Sequence, residues 1–291
     1  MSWLETAGVR TEASEIIVAV EGDDARTWLN GQITNDLKRL SPERSVYGLV
    51  LTTKGRVLAD VIAFERSGAT FFATSRDVWP ALHEQLEKYI IMEDVALRET
   101  TLRAITIAGA RAGEIDLAAA LAGIDATIIA TSRLGVSRDV IVEAADHERA
   151  LSRLIESAAA IGGGAIDDAA WDGARIESGV PRFAVDFGDK TYPQEAGLKD
   201  RAVSFEKGCY LGQEVVCMLE NRGQVSRSLV RVTLPDGARA GQALRHGEEN
   251  VGELTTVAPG HGLAMVKRAH AQPGTSLQSG QGAAVVVGVV G

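Results

Sequence analysis

The strongest constraint on the fold is a change of pattern along the chain. Beyond Arg227 only short β-rich pieces remain, at 229–234, 251–257, 263–266 and 283–290, separated by Gly and Pro. Such pieces close on one another as a small barrel or sandwich. Before that point strand-like and helix-like runs are mixed. Apolar, β-branched runs at 16–20, 46–52, 56–64, 70–74, 102–108 and 140–143 read as strands. Helical spacing recurs at 77–90, 111–122, 147–160 and 168–178. The two types do not alternate strictly, which excludes a doubly wound sheet and predicts an α+β chain. The expected division is 1–225, as two interleaved α+β subdomains, and 226–291 as the β domain.

Local chemistry supports this reading. Thr53, Lys54 and Gly55 are turn residues joining two strands as a hairpin. Pro80 lies in the first turn of its helix, where a missing N–H costs little. Gly162, Gly163 and Gly164 read as a hinge, followed by capping Asp167 and Asp168.

The formal net charge of -9 excludes a general phosphate-backbone binder, so direct nucleic-acid binding is not expected. Apolar runs fall short of the ~20 residues of a spanning helix, and no membrane role is expected. The N-terminus reads as neither a signal nor a transit peptide, and the two cysteines are too few for a disulfide scaffold. A reducing cytoplasm is the expected compartment. The scattered histidines and the spacing of Cys209 and Cys217 predict no metal site.

Three residues stand out chemically. Glu177 falls on the stripe of Ala170 and Ala174 if 168–178 is helical, so its carboxylate is expected on a buried face with a partner. That partner is either an arginine (Arg175, Arg182 or Arg201) or the paired N–H donors of a pterin edge. Asp60 sits inside an apolar strand beside Leu58 and Ile62, on a partly buried face. Cys209 lies between Gly208 and Tyr210, with Lys207 two residues before it and Gly212 three after, and a cationic neighbour raises thiolate content. It is either a reactive thiol or a small core hydrophobe. Cys217, after Val215 and Val216, reads as core.

Six segments occur together in order: GQITNDL (31–37), TKGRVLADV (53–61), RIESGVPRF (175–183), YPQEAGL (192–198), KGCYLGQEVV (207–216) and NRGQVSRSL (221–229). This set resembles the YgfZ-type folate-binding proteins, which are similar to the glycine-cleavage T-protein. The resemblance implies ferredoxin-like lobes around a central folate channel and a C-terminal β-barrel. It implies tetrahydrofolate or a one-carbon-substituted folate as ligand, and iron–sulfur client enzymes, including tRNA-modifying radical enzymes, as partners. By the same resemblance Glu177 holds the pterin, Asp60 lies near the one-carbon unit, and Glu195 matches an acid of the T-protein's proline-led motif. Cys209 and Lys207 would carry the chemistry, with Tyr210 and Gln213 beside the folate. Ala59 replaces one acid of the T-protein's pair, and Cys209 and Lys207 have no counterpart that makes the T-protein an aminomethyltransferase, a departure that argues against glycine-cleavage activity.

Three functions follow as expectations: a folate-dependent factor for iron–sulfur clusters, a folate-dependent aminomethyltransferase or demethylase, and a non-catalytic folate-gated module. In the last, Arg222, Arg227 and Arg231 would form a polar docking edge.

Overall fold

The computed structural model describes residues 3–221, 223 and 225–291; Arg222 of the expected docking edge lies outside them. The chain divides into two compact units, 1–49 with 59–167 and 50–58 with 168–291. The principal division thus falls at 167/168, where the sequence suggested 225/226. Helices preceding the barrel group with it.

The first unit contains β1 (Gly8–Thr11), β2 (Glu15–Glu21), α1 (Ala25–Gln32), β3 (Val46–Leu51), β4 (Val57–Arg66), β5 (Ala69–Ser75), α2 (Trp79–Glu87), β6 (Ala96–Glu99) and β7 (Leu102–Ala108). It continues with α3 (Leu117–Ala120), β8 (Ala126–Thr131), β9 (Ser137–Glu143), α4 (His147–Ala159) and β10 (Gly164–Ala165). The ends of β3 and β4 and the turn between them, residues 50–58, belong to the second unit. Two five-stranded sheets form, in the orders β10-β1-β7-β9-β8 and β3-β4-β5-β2-β6.

Strand alternation explains how the first sheet buries both faces. From β7 and β9, Ile105, Ile107, Val140 and Val142 meet Ala150, Leu154 and Ala158, which repeat every four residues on one face of α4. The intervening Leu102, Ala104 and Ile141 turn the other way and meet Ile17, Ile62, Phe64 and Ala73 of the second sheet. Full burial of a side chain such as Phe64 stabilises by roughly 1.5–3 kcal/mol.

Two local expectations are corrected. The helix expected over 111–122 is reduced to a 3-10 turn, Ala112–Glu114, and the single turn of α3. Asp116 starts α3 anew by accepting from the Ala119 N–H, which interrupts the longer helix. The Gly162–Gly164 hinge is instead an approach to a strand: Gly8 pairs in parallel with Gly164, and a Cβ on Gly163 would lie 2.0 Å from Ala7 O.

The second unit holds α5 (Asp168–Glu177), α6 (Lys199–Ala202), α7 (Gln213–Asn221) and six strands: β11 (Arg227–Thr233), β12 (Ala243–His246), β13 (Glu249–Ala258), β14 (His261–Lys267), β15 (Ser276–Ser279) and β16 (Gly282–Val289). The strands close as a barrel in the order β11-β14-β13-β12-β15-β16. Closure removes the free edges that short strands otherwise expose. Ile176 of α5 packs with Leu229, Leu263, Met265 and Val290, seating that helix on the barrel. The α+β class and the C-terminal barrel are therefore as the sequence implied. Among the described residues no helix is long and apolar enough to cross a membrane.

Candidate functional site

In the second unit three of the ordered segments converge on Glu195. Its carboxylate is buried, at 2% exposure. Arg56 Nη1 donates to Oε2 at 3.2 Å, Arg227 donates through Nε at 3.4 Å and Nη2 at 3.3 Å, and the Tyr192 N–H donates at 3.0 Å. Both arginines also reach Lys190 O, at 2.6 and 2.8 Å. The Arg56 guanidinium lies 3.5 Å from the centre of the Tyr192 ring, within cation–π range. A buried carboxylate engaged in this way is satisfied by its own protein. Glu195 therefore organises the 52–56 turn, the 190–195 loop and the start of β11. Arg227 is committed to this structure, and Arg231 donates to Glu177 O at 2.9 Å, so neither stands as part of a free docking edge.

The Cys209 loop is fixed to the same turn. Gly212 has φ +80, and a Cβ there would fall 2.5 Å from Thr52 O and 3.2 Å from Gly55 Cα. Gly55 has φ +71, and a Cβ there would fall 2.9 Å from Val215 Cβ. Both positions demand glycine on backbone and space alike. The loop so held exposes Cys209 while burying Lys207 and Tyr210 on either side. Lys207 Nζ lies 5.3 Å from the centre of the Tyr210 ring. Gln213 begins α7, half-buried, and its N–H donates to Tyr210 O. Burial pushes the Tyr210 hydroxyl above its usual range, and this oxygen is buried with no hydrogen-bond partner among the described residues. Gln194 Oε1 shares that condition, although its Nε2 donates to Val216 O at 3.0 Å. Cys217 is half-buried in α7, which is less enclosed than a core position.

On α5 the buried charge is Arg175, not Glu177. Trp171, Ala174, Arg175 and Ile176 face inward, and Glu177, the last helical residue, is exposed. Arg175 donates to Asp172 Oδ1 and Asp186 Oδ2, both at 2.6 Å, and to Thr256 Oγ1 at 3.0 Å. Asp186 in turn accepts from Thr255, Thr256 and the Arg182 N–H. This network ties α5 and the 180–187 loop to β13. The Glu177 carboxylate is exposed and has no ion-pair partner among the described residues.

In the first unit Asp60 is half-buried on β4, as alternation predicted. Tyr47 OH donates to Oδ2 at 3.1 Å, and Tyr47 O is itself held by Asn35 Nδ2 at 2.8 Å. Burial pushes the Asp60 carboxyl up to about 6, the Glu15 charge adds to the rise, and the Tyr47 hydrogen bond opposes it. Sequence reasoning missed the ion network that lies beneath. Arg133 forks onto Glu15 with two bonds of 2.6 Å and donates from Nε to Asp139 at 2.8 Å. Glu12 Oε1 lies 3.4 Å from Arg10 Nε without a hydrogen bond, and burial pushes this carboxyl to about 7. The sequence signal was slight: Arg10, Glu15 and Asp139 lie within apolar strands, whereas Glu12 and Arg133 lie in connections. Among the described residues no group of three His, Cys, Asp or Glu side chains is placed to hold a metal.

Comparison with known proteins agrees with this architecture. Residues 5–130 match the GCVT N-terminal domain family, and residues 227–289 match the CAF17 C-terminal β-barrel domain. The crystal structure of glycine cleavage system aminomethyltransferase T from Bartonella henselae matches at a TM-score of 0.84 and 20% identity, covering 98% of this chain and 85% of that one. An uncharacterized protein of Haemophilus influenzae is 26% identical over 216 residues, 73% of this chain and 69% of that one. The tRNA-modifying protein YgfZ of Klebsiella pneumoniae is 26% identical over 224 residues (73% and 67%), and that of Vibrio atlanticus 25% over 218 residues (73% and 65%). The matched part thus spans about two thirds of these relatives.

Fold and domain content define a protein of the T-protein fold, with a GCVT N-terminal domain and a CAF17-type barrel. Within that class the chain is similar, over 73% of its length, to the YgfZ tRNA-modifying proteins.

Proposed function

We propose that this protein binds tetrahydrofolate or a one-carbon-substituted folate and supports assembly or repair of iron–sulfur clusters in client enzymes, tRNA-modifying enzymes among them, in the cytoplasm. The observation that carries this reading is the presentation of Cys209. Its thiol is exposed on a loop anchored by buried neighbours and by the Gly212 contact with the 52–55 turn. A cysteine serving as a small hydrophobe belongs inside, whereas a thiol held outward is accessible to a sulfur species or cluster.

Several side chains, each taken within its own unit, support a folate as the ligand. Glu177 offers an exposed carboxylate for the parallel N–H donors of a pterin. Tyr210 OH and Gln194 Oε1 are buried polar atoms with hydrogen-bonding capacity unspent. Asp60 can hold or release a proton near neutral pH. When bound, tetrahydrofolate would supply a one-carbon carrier. Glu195 acts in this account as a positioning residue for the Cys209 loop.

Asp60 also favours a second reading, transfer of a one-carbon unit to folate, because a carboxyl near 6 suits general acid–base work. Methylene-tetrahydrofolate formation from N-methyl donors tests it.

The principal test is complementation of a strain lacking the homologous gene, read as activity of an iron–sulfur tRNA-modifying enzyme. Cys217→Ala should restore activity and Cys209→Ala should not. Full restoration by Cys209→Ala would contradict the thiol's role.

A further inference from the structure

The connection between α2 and β6 carries the two most exposed large hydrophobics among the described residues, Ile91 at 81% and Met92 at 92%. Loose chain does not account for their exposure. At the start of the connection Trp28 Nε1 donates to Tyr89 O at 2.8 Å. At its end Asp94 is latched to the turn before α1: Asp94 N donates to Asp24 Oδ2 at 2.9 Å, Asp23 N to Asp94 Oδ2 at 3.1 Å, and Asp24 N to Asp94 O at 3.3 Å. Gly22 makes this approach feasible, since a Cβ there would sit 2.0 Å from Asp94 O. Across the tip, Glu93 Oε2 accepts from both the Ile91 and Met92 N–H groups at 3.0 Å, and these bonds hold the Glu93 carboxyl below its usual range. The turn therefore spends its polar groups on holding two apolar side chains in water.

Charge around the tip has one sign. Asp23, Asp24, Glu93 and Asp94 are all exposed, and no ion pair to any of them is found among the described residues. The neighbouring cations are committed, Arg98 to Glu21 at 2.6 Å and Lys88 to Glu84 at 2.9 Å. We infer that the tip at Ile91 and Met92 is a docking site for a partner protein, and that it takes a segment pairing an apolar anchor with flanking lysines or arginines. The carboxylates exclude a nucleic-acid backbone and disfavour a second copy of this acidic tip. Apolar burial would supply the affinity, and the charges the on-rate and choice of partner. This inference stands apart from the folate reading, because no residue of the tip is among those proposed to meet the folate.

The experiment pans a random 12-residue phage-displayed peptide library on the full chain, with counter-selection on Ile91→Ser/Met92→Ser. Enriched peptides should be net positive with at least one aliphatic or aromatic anchor. A synthetic enriched peptide should bind the serine variant about ten-fold or more weakly, as expected for losing two buried side chains. It should also bind Asp23→Asn/Glu93→Gln more weakly, with a flatter salt dependence. Both variants should retain the parent's melting temperature. Failure to enrich against the variant would overturn the proposal, as would peptides lacking positive charge or binding unmoved by the serine substitutions. A dimer that the serine pair dissociates would overturn it in favour of self-association.

Discussion

Arg56 Nη1 meets Glu195 Oε2 at 3.2 Å, joining residues 139 positions apart at the turn that also supports the Cys209 loop. One arginine from the 53–56 turn and one from β11 share a single buried carboxylate. Removing that charge leaves two guanidinium groups facing a neutral acceptor. Glu195→Gln should therefore cost on the order of 3 kcal/mol, read by urea denaturation. Arg56→Lys should also destabilise, because an ammonium cannot both stack on Tyr192 and reach Lys190 O and Glu195 together.

Gly212→Ala should unsettle the thiol. Its Cβ would collide with Thr52 O at 2.5 Å in a backbone conformation that alanine resists. In the parent protein Cys209 should react with a thiol-specific disulfide reagent faster than the half-buried Cys217. The substitution should lower the melting temperature and change the Cys209 rate, leaving the Cys217 rate nearly as before. An unchanged Cys209 rate would separate the loop from the turn.

The buried carboxyls of the first unit give a stability profile opposite in sign to ordinary acid denaturation. Asp60 rises from 3.8 to about 6 and Glu12 from 4.5 to about 7 on folding. A raised carboxyl stabilises fully below its unfolded value and loses that contribution as pH climbs through its folded value. Each group should thus cost on the order of 3 kcal/mol between about pH 4 and pH 8. Asp60→Asn should raise the melting temperature at pH 8 and leave it nearly unchanged at about pH 3, below the unfolded value of 3.8. Equal shifts at both pH values would contradict the assignment.

Arg175 offers a contrast between breaking and replacing a buried charge. Arg175→Ala leaves Asp186 buried without its cation and should cost about 3–5 kcal/mol. Arg175→Met paired with Asp186→Leu should recover part of that loss, as measured by thermal unfolding.

What the sequence conveyed follows the range of the physics involved. The β-rich pattern after Arg227 placed the barrel, and period-two alternation placed Asp60 on a half-buried face, because both signals are local. Glu177 was misplaced because α5 is rotated so that Trp171, Ala174 and Arg175 face inward, and one residue on a helix is about 100° of rotation. An arginine took the buried position because Asp186 and Thr256, remote in sequence, complete its hydrogen bonds. Arg133, Glu15 and Asp139 were missed for the same reason: Arg133, in the β8–β9 connection, meets Glu15, 118 positions away, only through the tertiary fold, which composition does not encode. The six ordered segments indicated a family, but only the structure explains why TKGR and KGCYLG occur together, through the Gly55–Gly212 contact.

The central claim is folate binding at Glu177, and calorimetric titration with tetrahydrofolate tests it most directly. Wild type should bind with a measurable heat, and Glu177→Ala should lose about ten-fold or more in affinity, the cost of a paired, charge-assisted contact. Its melting temperature should hold, because the carboxylate is exposed and the Arg231 bond is to the Glu177 carbonyl. Equal affinity in wild type and variant, or no binding by wild type, would contradict the account.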